Sequence, residues 1–307
     1  DKLMDRSLFL AQVDLLLRIL PYVMRDSRFA LKGGSALNLF IRDLPRLSVD
    51  IDLTYLPIED RDSTLANISE ILSTISRDIS NAMPQVTIQP LRAADGRLRK
   101  LVVRSGLVTV KVEPNETIRG SVFPCELRDL APQVEEEFGL FMSVQTLSLA
   151  DLYGGKICAA LDRQHPRDLF DVQMLLANEG LTPAIRTAFL VYLISHNRPM
   201  AEVLQPNRLP LEAAFAGEFA GMSRVNVTCE ELVAVRERLI DLLRQGLSME
   251  EKRFLLSVKE LQPDWTLLGV TGVEELPAVR WKLQNLAKMP KQKHKLAIEK
   301  LRWVLEI

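Results

Sequence analysis

Cysteine is scarce in this chain. Cys125, Cys158 and Cys229 are the only three among 307 residues, and no two of them have a paired spacing. That excludes a disulfide scaffold and a cysteine-built zinc site, and it fits a reducing cytoplasm. Histidine is equally rare. His165, His196 and His294 fall in no arrangement that suggests a Ser–His hydrolase. Every apolar run is broken by a charge before it reaches bilayer-spanning length, so neither a transmembrane helix nor a membrane partner is expected. The stretch Asp1-Lys2-Leu3-Met4-Asp5-Arg6 lacks the basic-then-apolar pattern of a secretory leader. No charge excess exists either. The formal net charge is −1, so a nucleic-acid partner would have to be held by a local basic patch. Internal repeats and low-complexity tracts are absent. What is present is 47% hydrophobic residues in a chain long enough to bury a large core, divided over about two subdomains.

The most informative stretch runs from Leu31 to Tyr55. Gly33-Gly34-Ser35 is a glycine turn opening a short helix, and Ser48-Val49-Asp50-Ile51-Asp52-Leu53 is a strand with two aspartates two residues apart. Strand side chains alternate, so Asp50 and Asp52 share one face while Val49, Ile51 and Leu53 share the other. Adjacent carboxylates repel, and a hard divalent cation such as Mg²⁺, with Mn²⁺ as the alternative, relieves that repulsion. Gly34 lets the backbone approach a ligand, and Ser35 in the first helical turn adds a hydroxyl where free N–H groups favour phosphate. A phosphate cradle followed by an Asp-x-Asp strand is the layout of a metal-dependent nucleotidyl or phosphoryl transferase. The plainer alternative is a turn and an edge strand with two solvated aspartates.

These words resemble a known signature. Gly34-Ser35 followed by Asp50-x-Asp52 is similar to the motif of the DNA polymerase β-type nucleotidyltransferases. The surrounding residues, Leu31 to Leu37 and Ser48 to Leu53, resemble the AbiEii/AbiGii-type nucleotidyltransferase toxins of bacterial abortive-infection and toxin–antitoxin systems.

Further along, Leu8–Met24 and Ser63–Ile79 carry apolar residues at helical spacing, and strands are expected at Val86–Ile88, Leu101–Val103 and Leu107–Glu113. Pro114 is expected to end the last strand. Glu113 sits on that strand's polar face, where the resemblance implies a third metal ligand; Asp95 and Glu116 are competitors. The alternative for Lys111 and Glu113 is the solvated face of an edge strand.

From Ser148 the pattern turns helical. Ser148-x-x-Asp151 reads as a helix start, and Lys156 lies at the margin of the apolar stripe that follows. It either snorkels to water or reaches a nucleotide phosphate. Gly154-Gly155 should weaken that helix. Pro166 opens the next helix, where Arg167, Asp168 and Asp171 can meet on one surface. The block Leu147–Leu161 with Arg167–Asp171 resembles the second conserved region of the AbiEii-type toxins. That resemblance implies active-site roles for Lys156 and Asp168, supported by Arg167 and Asp171. Beyond Gly180 a bundle of helices is expected. It ends in a basic tail with six lysines between Lys282 and Lys300, with Trp281 and Trp303 beside them. The tail is either a solvated face or a patch for an RNA backbone.

The fold expected is therefore α+β, with a polymerase β-type nucleotidyltransferase domain over residues 1–146 built on a small mixed sheet, and a helical domain over 147–307 that completes the cleft. In the expected reaction Asp50, Asp52 and Glu113 hold the metal, Gly34 and Ser35 hold the β- and γ-phosphates of an NTP, and Lys156 neutralises the leaving pyrophosphate. The resemblance implies an RNA acceptor, with tRNA 3′ ends first, inhibition of translation, and a cognate antitoxin as partner. Transfer to a protein or small molecule, or a non-catalytic nucleotide- or partner-binding module, are the alternatives.

Overall fold

Period-two alternation in the first half of the chain folds into one sheet. The computed structural model describes residues 2–307, with side chains from Arg6 onward, so the side chains of the N-terminal stretch lie outside the described residues. Helix α1 (Lys2–Val23) leads to β1 (Phe29–Lys32) and the short α2 (Gly33–Ala36), which continues as a π-helical turn over Leu37–Ile41. Then come β2 (Asp50–Tyr55), α3 (Arg61–Ala82), β3 (Thr87–Arg92), β4 (Leu98–Ser105), β5 (Val108–Asn115), β6 (Glu126–Asp129), α4 (Pro132–Phe138) and β7 (Ser143–Thr146).

All seven strands join one mixed sheet in the order β3-β4-β5-β2-β1-β7-β6. The glycine turn returns β2 antiparallel to β1, whereas β2–β5 and β1–β7 are parallel. β2 and β5 are thus interior strands, and the edge-strand alternatives for their carboxylates do not hold. Ile51, Leu53, Val110 and Val112 are fully buried. α3 covers the sheet with Ile68, Ile71, Leu72 and Ile75, and Asp60 caps it by accepting the Ser63 N–H at 2.9 Å.

The sheet is wider than the sequence suggests. β6 and β7 are four residues each and read Glu-Leu-Arg-Asp and Ser-Val-Gln-Thr, too short and polar for an alternation signal. Pro114 does not end β5. It pairs in register with Leu53 on β2, beyond Leu101↔Val112, the last β4–β5 pair, so the missing N–H disrupts no ladder on that side.

The chain divides into two compact units. One comprises Asp1–Ser148 with the returning strip Glu218–Asn226, the other Leu149–Gly217 with Val227–Ile307. The strip belongs with the sheet because Leu47 N–H donates to Met222 O at 2.8 Å and Arg224 N–H to Pro45 O at 2.9 Å, which holds the loop entering β2.

The second unit is helical: α5 (Leu149–Asp162), α6 (Pro166–Ala177), α7 (Pro183–Ser195), α8 (Met200–Leu204), α9 (Glu212–Ala214), α10 (Cys229–Gly246), α11 (Met249–Lys259), α12 (Pro277–Ala287) and α13 (Lys291–Leu305). No described helix is long and apolar enough to cross a membrane. α5 runs unbroken through Gly154-Gly155. The reason for Gly154 is interhelical: a Cβ there would lie 2.8 Å from the backbone of Ala188 and Phe189 on α7. Backbone cannot move aside as a flexible side chain can. Gly154→Val is therefore expected to destabilise the protein by about 1–3 kcal/mol or more through overpacking, although helix propensity alone favours a side chain there. Thermal unfolding of the variant checks this, and an unchanged midpoint would refute the close approach.

Candidate active site

The glycine turn and the Asp-x-Asp strand are packed against each other. Gly33 has φ +73°, a conformation that favours glycine, and a Cβ on it would sit 2.7 Å from Asp52 Oδ2 and so displace that carboxylate. A Cβ on Gly34 would sit 2.5 Å from Arg46 Nη2 and 3.0 Å from Ser48 Oγ. Arg46 is buried and donates to the Leu47 carbonyl at 2.9 Å. Neither Arg46 nor Ser48 was distinguished by the sequence, because one lies in a turn and the other reads as an ordinary strand flank. Ser35 is buried in the first turn of α2. Its hydroxyl donates to the Asp50 carbonyl and lies 3.0 Å from Ser48 Oγ. Asn38 Nδ2 adds a hydrogen bond to the Gly34 carbonyl at 2.9 Å. The turn is thereby fixed to the first residue of the carboxylate strand.

Parallel pairing supplies the third carboxylate. The register is Asp50↔Lys111, Ile51↔Val112, Asp52↔Glu113. Partners in register project to the same face, so Asp50, Asp52 and Glu113 share one, and Lys32, paired with Asp52 on the other side, joins them. Glu113 is bonded to Lys100 Nζ at 2.8 Å from the adjacent β4. The competitors are engaged elsewhere: Asp95 accepts the Arg97 N–H in the β3–β4 turn, and Glu116 pairs with Arg99. Among the described residues no three carboxylate, imidazole or thiol groups yet converge on one point. The donor set itself, hard oxygens from one strand and its parallel neighbour, is of the kind that suits Mg²⁺ or Mn²⁺.

The residues of the second motif form their own cluster in the helical unit. Lys156 does not snorkel. It is 7% exposed and lies 2.8 Å from Asp168 and 3.0 Å from Asp171, both buried. The cause is local: His165 caps α6 by accepting the Arg167 N–H at 3.1 Å, and Pro166 starts the helix. Asp168 and Asp171, one turn apart, therefore reach the same ammonium on α5. Arg163 completes the cluster, with Nε 2.6 Å and Nη2 3.0 Å from the Asp168 oxygens. Arg167, expected as a support, is half-buried on the same helix. Asp151 is buried and accepts the Tyr192 hydroxyl at 2.9 Å, tying α5 to α7. Burial opposes ionisation of Asp168, but the Lys156 charge and the Arg163 hydrogen bond outweigh it and hold the carboxyl well below the usual range.

The family model of the nucleotidyl transferase AbiEii toxin, of type IV toxin–antitoxin systems, matches residues 14–285. Among solved structures, the nucleotidyltransferase toxin MenT4 from Mycobacterium tuberculosis H37Rv is similar with a TM-score of 0.62, covering 98% of this chain and 94% of that one at 16% identity. At that identity the likeness is one of fold. No curated protein sequence matches.

The buried cluster has a measurable signature. Because the Asp168 carboxyl is depressed in the folded state, its contribution to stability is complete above the unfolded carboxylate range and is lost as pH falls below about 4 towards the folded value. Asp168→Asn should flatten the loss of thermal stability in that acid window. Lys156→Gln, which leaves two buried carboxylates short of a cation, should lower stability by about 3–5 kcal/mol at neutral pH. Melting curves between neutral and acid pH test both, and superimposable curves for all three proteins would show that the cluster contributes nothing.

Proposed function

The chain belongs to the AbiEii family of nucleotidyltransferase toxins, and from that premise we propose that it moves a nucleoside monophosphate from an NTP to an RNA acceptor, with tRNA 3′ ends as the first candidate. The observation that carries the proposal is the strand register that sets Asp50, Asp52 and Glu113 on one face beside the Gly33-Gly34 turn. Transfer of the monophosphate would block translation, and a cognate antitoxin would hold the toxin in check.

Asp50, Asp52 and Glu113 would hold Mg²⁺, or Mn²⁺ in its place. A bound ion there supplies neutralisation of the triphosphate and a lowered pKa for the attacking hydroxyl. The bare backbone at Gly34 gives the β- and γ-phosphates a close approach. Ser35 holds the Asp50 carbonyl and so keeps the carboxylate strand in position against the turn. Lys100 neutralises Glu113 until its carboxylate is needed. Lys156 enters as a positioning residue, since two carboxylates already hold its ammonium.

Incubation with each of four labelled NTPs and total RNA, followed by gel separation, tests the proposal. Labelled RNA of tRNA size is the expected result. Label on protein or on a small molecule would favour a different acceptor, and no transfer from any NTP would favour a non-catalytic module. Asp52→Ala is expected to reduce transfer by at least about 100-fold, since metal-held charge stabilisation is worth several kcal/mol. Full activity in that variant would sink the mechanism. Lys100→Met should tighten Mn²⁺ binding, read by electron paramagnetic resonance without nucleotide, by about two- to fivefold, because a half-exposed ion pair is worth up to about 1 kcal/mol. Unaltered binding would remove Glu113 from the ligand set.

A further inference from the structure

The basic tail singled out in the sequence becomes a specific surface in the structure. No Asp or Glu occurs between Glu275 and Glu299, while the chain as a whole has a net charge of −1. Lys282 does not belong to the surface. It is buried and donates to the carbonyls of His196 and Arg198 at 2.7 and 2.8 Å; burial, with Lys259 nearby, pushes its pKa down to about 8. Lys288, Lys291, Lys293 and Lys295 are exposed, and none of them has an ion pair among the described residues.

The other half of the surface is aromatic and polar. Lys293, Leu296, Lys300 and Trp303 follow at intervals of three, four and three on α13, so they share one helix face. Leu296 is 59% and Trp303 70% exposed. Trp303 forms one wall of a groove of about 610 Å³ that also presents Arg198, Gln205, Asn207, Arg208 and Lys300, with Glu202 as its one carboxylate. Arg198 and Arg208 are held in place by Asp162 and Glu237, each at 2.8 Å.

Lysines without acidic partners attract a polyanion, but they do not distinguish nucleic acid from an acidic protein. The groove does. An exposed indole beside planar amides and anchored guanidinium groups suits an unpaired base, which offers a π-face and hydrogen-bonding edges. A base inside a duplex has its π-faces stacked and its Watson–Crick edge paired, and offers neither to the groove. We propose that the Lys293–Trp303 face of α13 and its adjoining groove form a docking surface for single-stranded RNA, with Lys293 and Lys300 on backbone phosphates and a base stacked on Trp303. The inference rests on the RNA-acceptor reading above and assigns a place where that acceptor is held.

The test uses the full chain, without NTP, and a fluorescein-labelled RNA oligonucleotide whose 3′ end is single-stranded. Anisotropy gives Kd as a function of salt. Replacing Lys293 and Lys300 together by Gln should weaken binding about fivefold or more and reduce the slope of log Kd against log salt by about 1.4, since each phosphate contact on a single strand contributes about 0.7. Trp303→Ala should weaken binding about tenfold and abolish part of the tryptophan quenching on RNA addition, and Trp303→Phe should restore most of the affinity. A blunt duplex of equal length should bind more weakly than the single strand. Unchanged Kd and salt slope in the lysine variant would overturn the surface. Equal binding of duplex and single strand would overturn the stacking role. Normal RNA binding in both variants, with loss of capture of an acidic polypeptide such as polyglutamate, would reassign the strip to a protein partner. Binding is read without catalysis, so a failure of nucleotide transfer leaves this result standing. Conversely, active transfer to RNA with an unaltered KM for RNA in the variants would refute this surface alone.

Discussion

Parallel pairing of β2 with β5 is the constraint on which the candidate site depends. One strand can set two carboxylates on a face, but only at alternate positions along a line. A second, parallel strand in the register Asp52↔Glu113 adds a carboxylate to the side, so the donor set becomes two-dimensional. That register is enforced from below. Ile51, Leu53, Val110 and Val112 are fully buried, and a slip by one residue would exchange them with the carboxylates. The apolar core thus specifies the polar face. The glycine turn follows from the same geometry: Gly33 has a positive φ, and a side chain on it would have to push the Asp52 carboxylate aside.

Much of this was legible in the sequence, because it is written in local periodicity. The Asp-x-Asp alternation, the Gly33-Gly34-Ser35 turn and the Val108-Val110-Val112 face each declare themselves within a few residues. The features that escaped are those whose cause is distant. Lys100 looks like any strand lysine until β4 is laid beside β5. Arg46 and Ser48 gain meaning only from the turn packed on them. Lys156 carried the right signal, a cation near the second motif, but the apolar stripe of α5 gives no sign that Asp168 and Asp171 will enclose its ammonium. Gly154 read as a weakness in a helix, and its real partner is the backbone of Ala188 and Phe189, more than thirty positions away. β6 and β7 are extended by pairing with neighbours rather than by their own composition.

The buried Lys156–Asp168–Asp171–Arg163 cluster illustrates how charge can serve geometry. Taking an ammonium and two carboxylates out of water is unfavourable unless each finds its partners. Here the Lys156 ammonium on α5 lies against Asp168 and Asp171 on α6, so losing either side of the α5–α6 contact would leave a buried charge uncompensated.

The strip Glu218–Asn226 has a consequence for the order in which the protein is built. The loop that delivers Asp50 is fastened by hydrogen bonds from Leu47 to Met222 and from Arg224 to Pro45. Those partners are separated by some 175 residues of chain, so the loop closes late and against a large loop-entropy cost. During synthesis the glycine turn and the aspartate strand emerge early, yet their anchoring waits until the first part of the helical unit, Leu149–Gly217, has been made. A chain arrested or cleaved between Glu113 and Met222 would carry every carboxylate of the candidate metal site and lack the fastening of the loop that presents it.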